Sequence, residues 1–244
     1  MLKSGNVIGI PVTASTVDEV ADEIFRRARR RDSGYVCIAN VHMLTLARQD
    51  RDLRRVLQEA TIVTSDGMPL VWDLRRQGFR GIDRVAGPDL MNVLCRAAAE
   101  QGVCVYFYGG QEETMSLMVR RLRKRYPDLP IGGYERPPKL PVRPELDPRV
   151  VSRIRESGAG IVFVGLGCPK QEFWMATHAA ELNGIAIGVG AAFDFEAGVI
   201  PRAPVWMQRG GLEWLFRCAT EPRRLWKRYL VSNSLFLFYL FMKR

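Results

Sequence analysis

The sequence is short of the groups that would make a disulfide-built, metal-built or membrane-spanning protein. Its 244 residues include five cysteines, Cys37, Cys95, Cys104, Cys168 and Cys218, scattered and without a CxxC pair. Such spacing offers neither a disulfide framework nor a structural zinc site and predicts a reduced, cytosolic chain. Only two histidines occur, and His42 has no second histidine at ligand spacing, so a metal site built on it is not expected. Met1–Val12 carries one lysine, no long apolar run and no small-residue cleavage site, so no signal peptide is expected. The apolar stretch Leu230–Phe241 is 12 residues long, where a spanning helix needs about 20. The glycine pairs Gly165/Gly167 and Gly188/Gly190 both lack the third glycine of a dinucleotide fingerprint, and no P-loop lysine pattern is present. No repeat of fixed period and no low-complexity block appears.

What is present is a full core and an uneven charge. Hydrophobic residues make up 47% of the chain, enough to bury a large α/β domain. The formal charge is +10, and the segment from Arg209 onward holds eight Lys/Arg against two Asp/Glu, a net +6. A basic tail of this kind points to a polyanion met by the C-terminus, membrane phosphate ahead of nucleic acid.

Along the chain, short apolar runs alternate with helical patterns. Strands are predicted at Val7–Ile10, Tyr35–Ala39, Thr61–Thr64, Val103–Tyr108, Ile161–Gly165 and Ile185–Val189. Between them come helices over Val17–Arg30, Val41–Glu59 with a break near Asp50, from Met68, Leu90–Gln101, Glu112–Tyr126, Arg149–Ser157 and from Lys170. Ser15 or Thr16 would cap the first helix, and Asp128–Asp147, rich in proline, reads as an extended excursion. The alternation predicts a doubly wound, mostly parallel, Rossmann-like sheet covered on both faces. The pattern changes at Ala197, which predicts an α/β catalytic domain over 1–196 and a helical appendage over 197–244. Thr220 would cap the second of two helices there. The stretch Leu230–Phe241 with its basic shoulder, Lys227 and Arg228, reads as an interfacial helix; the alternative is a helix that closes the domain or joins two copies.

Candidate chemistry gathers at predicted strand ends, where open α/β sheets bind ligands. In IVFVGLGCPKQEFW (161–174) a buried strand runs through a glycine turn into a helix whose first turn carries Lys170 and Gln171, a setting suited to phosphate. Cys168 in that turn reads as packing, since neither histidine is near it in sequence. Asp66 follows a strand and precedes a turn glycine, so it is either a helix cap or a general base. Asn40 leaves the neighbouring strand and is either a cap or a sugar or phosphate ligand. Arg84 in a glycine-proline loop is a candidate diphosphate clamp, with Asp89 beside it as a helix cap. The triplet Asp194-Phe195-Glu196 resembles a metal-binding acidic pair, but D-x-E is common by chance and metal binding there is not favoured.

Several segments together resemble one family. They are TSDGMP (64–69), RVAGPDL (84–90), FYGG (107–110), VGLGCPKQEFW (164–174), GVGAAFDFEAG (188–198), RAP (202–204) and GLEWLFRCATEPRRLWKR (211–228). In this order, and over nearly the whole chain, the set is similar to the WecG/TagA/CpsF family of bacterial glycosyltransferases. The resemblance implies inverting, metal-independent transfer without a cofactor. The donor would be a UDP-sugar (N-acetylmannosamine, its uronic acid or glucose) and the acceptor a polyprenyl-diphosphate-linked sugar at the cytoplasmic membrane face. It implies that Asp66 is the base and that Asn40, Arg84, Gln171, Arg217, Arg224 and, as a looser match, Arg228 bind substrate; Asp89, Gly109, Gly167 and Lys170 are expected from their place in these segments to bind it as well. Ile38 stands where some members carry threonine. The rival functions are a nucleotide-dependent oxidoreductase and a non-catalytic, membrane-docked nucleotide-sugar-binding protein.

Overall fold

The computed structural model describes residues 2–242, with the side chain of Arg224 outside what is described. The chain opens with an antiparallel hairpin, β1 (Ser4–Val7) and β2 (Ile10–Thr13), closed by the pair Val7–Ile10. The expected strand Val7–Ile10 is therefore a turn. Its two central residues, Ile8 and Gly9, take φ of 41° and 88°, the left-handed pair that two-residue hairpins use. Ile8 is only 3% exposed, so burial of its side chain offsets the cost of that backbone, and an apolar turn residue hid the hairpin from the sequence pattern.

Helix α1 (Val17–Arg30) begins at Thr16, whose hydroxyl accepts from Glu19 N while the Glu19 carboxylate accepts from Thr16 N, a reciprocal cap. Then follow β3 (Gly34–Ala39), α2 (Val41–Gln49), α3 (Arg51–Glu59), β4 (Ile62–Ser65), α4 (Met68–Arg76), α5 (Gly87–Gln101) and β5 (Val105–Gly109). The second half holds α6 (Glu112–Arg125), β6 (Ile131–Glu135), α7 (Pro148–Glu156), β7 (Ile161–Gly165), α8 (Lys170–His178), β8 (Ile185–Gly188) and α9 (Ala192–Ala197). Strands β3 to β8 form one parallel sheet in the order β4-β3-β8-β7-β5-β6.

Both faces of that sheet are dry. Tyr106, Tyr108, Val162 and Val164 pack into one apolar cluster with α2, α3, α4, α7 and α8, while Val105, Phe107, Ile161 and Phe163 pack into a second with α1, α5, α6 and α9. Alternate residues feed alternate clusters, so the strands read as unbroken apolar runs. Strand β6 lies inside Asp128–Asp147, expected to be an extended excursion and not a strand of the sheet. It carries Gly132 and Gly133, where a Cβ would sit 2.7 Å from Cys104 Sγ and 2.6 Å from Tyr106 Cε2. Close approach at the sheet edge selects glycine there and removes the β-branched signal of a strand.

The C-terminal part is helical: α10 (Val205–Arg209), α11 (Glu213–Thr220) and the 21-residue α12 (Pro222–Met242). Thr220 does not cap α12; its hydroxyl bonds back to the Phe216 and Arg217 carbonyls of α11. Helix α12 lies on α2, burying Leu225, Ser232 and Phe236, with Arg48 over the Tyr239 ring at 5.1 Å. Its other face leaves Trp226, Leu230, Val231, Leu237, Phe238 and Phe241 exposed. Among the described residues no helix is long and apolar enough to cross a membrane.

Candidate active site

Two adjacent strands end together at the carboxyl edge: Asp66 N donates to Ala39 O at 2.7 Å, which sets Asn40 and Asp66 side by side just beyond β3 and β4. Asn40 is a helix cap, as one of its two expected roles required, with Oδ1 accepting from Met43 N at 3.1 Å. Asp66 is not. The cap position of α4 belongs to Gly67, at φ 131°, and no side chain bonds that helix start. Among the described residues nothing donates a hydrogen bond to the Asp66 carboxylate, which remains 28% exposed.

Arg84 reaches the same place because its loop runs along the end of β4. Val85 N donates to Ser65 O at 3.0 Å and Thr64 Oγ1 donates to Val85 O at 3.2 Å. The start of α5 then presses on the chain after β8, where a Cβ on Gly87 would lie 2.9 Å from Val189 O. The Arg84 side chain is 13% exposed and its guanidinium is ringed by acceptors. Nη1 donates to Glu213 of α11 and Nη2 donates to Gln208 of α10 at 2.9 Å. Asp66 and Asp89 stand at 3.7 and 3.6 Å. Asp89 caps nothing, contrary to expectation: Ala86 holds the cap position of α5, and Asp89 takes a two-pronged pair from Arg202, both bonds 2.6 Å.

Asp66, Arg84, Gln208 and Glu213 line a cavity of about 440 Å³ between the sheet edge and the C-terminal helices. Its polar lining includes Asn40, Asp66, Arg84, Glu213, Arg217 and Arg228, and its apolar lining includes Met68, Trp72, Trp214, Phe236, Leu237 and Leu240. Burial pushes the Asp66 carboxyl up to about 6; Arg84 opposes this most strongly, Glu213 and Asp89 reinforce it, and Arg217 opposes it. His42, also in the wall, is pushed down to about 4 by burial and by the charge of Arg228, so it is neutral and shares a 2.9 Å hydrogen bond with Ser232 of α12. The arrangement offers a carboxyl that titrates near neutrality, a planar cation with three N–H groups beyond the two engaged by Glu213 and Gln208, and further arginines.

The residues expected around β7 are not part of this cavity, because β8 and β3 lie between β7 and β4. Gly109, at φ 115°, sits so close to β7 that a Cβ on it would lie 2.6 Å from Gly165 O, and Gly167, at φ 78°, turns the chain after β7. Gln171 is only 4% exposed and holds that turn from within: its Oε1 accepts from Gly167 N at 3.2 Å and its Nε2 donates to Glu172 at 2.8 Å. Lys170 faces a second cavity, of about 270 Å³, with Gly110, Arg136, Lys139, Gly165 and Asp194. The acidic triplet is split, since Glu196 pairs with Arg125 at 2.9 Å on α6. Burial and Glu172 push the Cys168 thiol well above its ordinary value, which agrees with a packing role.

Glu172 itself is fully buried and pushed up to about 7 by that burial. Its native carboxyl therefore holds a proton more tightly than the unfolded chain does, and its contribution to stability is lost as pH rises from about 4.5 through about 7. Glu172→Gln should melt higher than the parent at pH 8.5 by several degrees and alike at pH 5, by differential scanning fluorimetry. Equal differences at the two pH values would remove the electrostatic account.

Glu213, Gln208 and Arg202 carry the site and were not singled out from the sequence. Glu213 did leave a signal, as one of two acidic residues in the basic segment from Arg209 onward. Among the described residues no group of three or more His, Cys, Asp or Glu is arranged to hold a metal ion. A profile of the glycosyl transferase WecG/TagA/CpsF family matches residues 5–244, spanning the sheet, the Asp66–Arg84 centre and the C-terminal helices alike. The chain is therefore a member of the WecG/TagA/CpsF family, glycosyltransferases of cell-surface polysaccharide synthesis that join a nucleotide-sugar donor to an acceptor.

Proposed function

We propose that the chain transfers a sugar, with inversion, from a UDP-sugar to a sugar carried on a polyprenyl diphosphate at the cytoplasmic membrane face. The observation that carries this reading is one cavity lined both by Asp66 with Arg84, Arg217 and Arg228 and by tryptophan, phenylalanine and leucine. A sugar diphosphate on an isoprenoid chain combines the same two chemistries. Asp66 takes the proton of the acceptor hydroxyl as the oxygen attacks the anomeric carbon. The bond from that carbon to the UDP oxygen breaks, and its electron pair leaves with UDP. Charge growing on the leaving diphosphate is met by the free N–H groups of Arg84 and by Arg217 and Arg228, a role worth roughly 3 kcal/mol per good donor. Gly167, with no atom within 4 Å of where a Cβ would stand, leaves room for the donor, and Lys170 in the second cavity suits a nucleotide phosphate.

Residues 197–244 are, in this reading, the membrane-associating part. Phe238 and Phe241, 55% and 66% exposed, are set against a basic shoulder that includes Lys227 and Arg228. The test is a panel of UDP-sugars given with a vesicle-borne polyprenyl-diphosphate sugar and with a water-soluble short-chain analogue. One donor should support turnover on both acceptors. Phe238→Ser/Phe241→Ser should lower turnover on the vesicle-borne acceptor about tenfold or more and leave the soluble one near normal, because two buried phenyl groups supply several kcal/mol of interfacial attachment. No turnover with any UDP-sugar removes the donor assignment, and an equal loss on both acceptors removes the membrane role.

A further inference from the structure

Arg84 has four acidic or amide groups around it and bonds to the two that come from the C-terminal helices. Glu213 and Gln208 take one guanidinium nitrogen each, while Asp66 at 3.7 Å and Asp89 at 3.6 Å lie beyond hydrogen-bond range. Asp89 is occupied elsewhere, by Arg202. Without Glu213 the nearest carboxylate for Nη1 would be Asp66, and a movement of less than about 1 Å would bring the two into a charge-assisted bond. We propose that Glu213 is the positioning residue of this centre: it draws the Arg84 guanidinium toward α11 and keeps the Asp66 carboxylate unbonded, with its lone pairs open to an incoming hydroxyl. The inference rests on Asp66 acting as the base.

The groups that face Asp66 come from every side. Arg84 stands on the loop, Asp89 on α5, Glu213 and Arg217 on α11, and the Tyr229 hydroxyl and Arg228 on α12. His42 on α2 and Asp73 and Arg76 on α4 line the same cavity. Removal of the Glu213 charge takes away a like charge and releases an opposite one toward Asp66, and both changes favour the ionised carboxylate. Glu213 thereby sets how basic Asp66 remains.

The experiment follows the Asp66 carboxyl by ¹³C NMR in the full-length chain, labelled at aspartate, with the resonance identified by its absence in Asp66→Asn. Glu213→Gln should lower the midpoint by about one pH unit and carry the acid limb of kcat/KM down with it. Gln208→Glu, which puts a second carboxylate on the other nitrogen of Arg84, should move both the opposite way, and it tests the same hold if Glu213→Gln does not fold. A midpoint unmoved in both variants overturns the inference, even where kcat falls, since a merely structural Glu213 would lower activity without moving the titration. A midpoint that moves while the acid limb stays fixed leaves Glu213 positioning Arg84 and removes Asp66 as the base.

Discussion

Asp66→Asn should lower turnover by about 10²–10⁴-fold, the range set by loss of a positioned base, while the dissociation constant for the UDP-sugar stays within about threefold. Asparagine keeps the shape of the side chain but cannot accept the acceptor's proton. The same substitution should stabilise the fold at neutral pH. The native carboxyl titrates at about 6 against an ordinary 3.8, so it binds its proton more tightly folded than unfolded. Its contribution to stability is therefore lost as pH rises from about 4 through about 6, and it is unfavourable above that. The gap between the two values is worth about 3 kcal/mol at most, and a carboxylate still 28% in contact with water should yield about 1–3. Thermal melts at pH 7.5 should show the variant above the parent, and melts at pH 4 should coincide. A variant with near-normal turnover would remove Asp66 as the base. Melts that differ equally at both pH values would mean that the strain at Asp66 is not electrostatic.

The parallel sheet was legible because its strands are buried on both faces and so appear as apolar runs closed by glycine, as Ile161–Gly165 does. Strand β6 was not, since its glycines are chosen by contact with Tyr106 and Cys104 across the sheet, a non-local constraint without local pattern. The hairpin turn at Ile8 failed for the same reason, tertiary burial overriding turn chemistry. Position alone left Asp66 and Asn40 undecided between cap and chemistry, and the two separate only when helix geometry shows Asn40 capping α2 and Gly67 at the start of α4. Lys170 and Gln171 were expected to bind the same substrate as Asp66, but strand order is invisible in sequence, and two intervening strands put them outside its cavity. The bonds from Glu213 and Gln208 to Arg84 span 129 and 124 residues, so only the folded chain brings them together.

Arg84→Ala should cost activity and stability together, where Asp66→Asn costs activity alone. Three carboxylates, Asp66, Asp89 and Glu213, face one guanidinium, and Arg202 compensates only Asp89. Removal of the cation leaves Asp66 and Glu213, 28% and 19% exposed, repelling each other in a partly dry pocket. Unfolding free energy should fall by about 3 kcal/mol at pH 7.5, within the range for breaking a buried ion pair from one side. The deficit has a definite pH dependence. Arg84 is the strongest influence holding Asp66 down, so without it the carboxyl rises beyond about 6 and takes a proton in the native state over a wider window. A raised acid loses stability as pH climbs from about 4 through its folded value, hence the deficit should shrink toward pH 5 and widen toward pH 8. Turnover should drop by 10²–10³-fold or more, as for loss of a preorganised donor at a leaving group. Arg84→Lys separates the two effects. Its ammonium restores much of the charge balance, and so most of the stability, but a single point charge cannot fork between Glu213 and Gln208 while offering donors to a diphosphate, so turnover should stay low. Denaturant titrations of both variants at pH 5 and pH 8, with turnover at pH 8, decide it: a pH-independent deficit in Arg84→Ala would mean that Arg84 is held by packing, and full turnover in Arg84→Lys would mean that charge alone suffices.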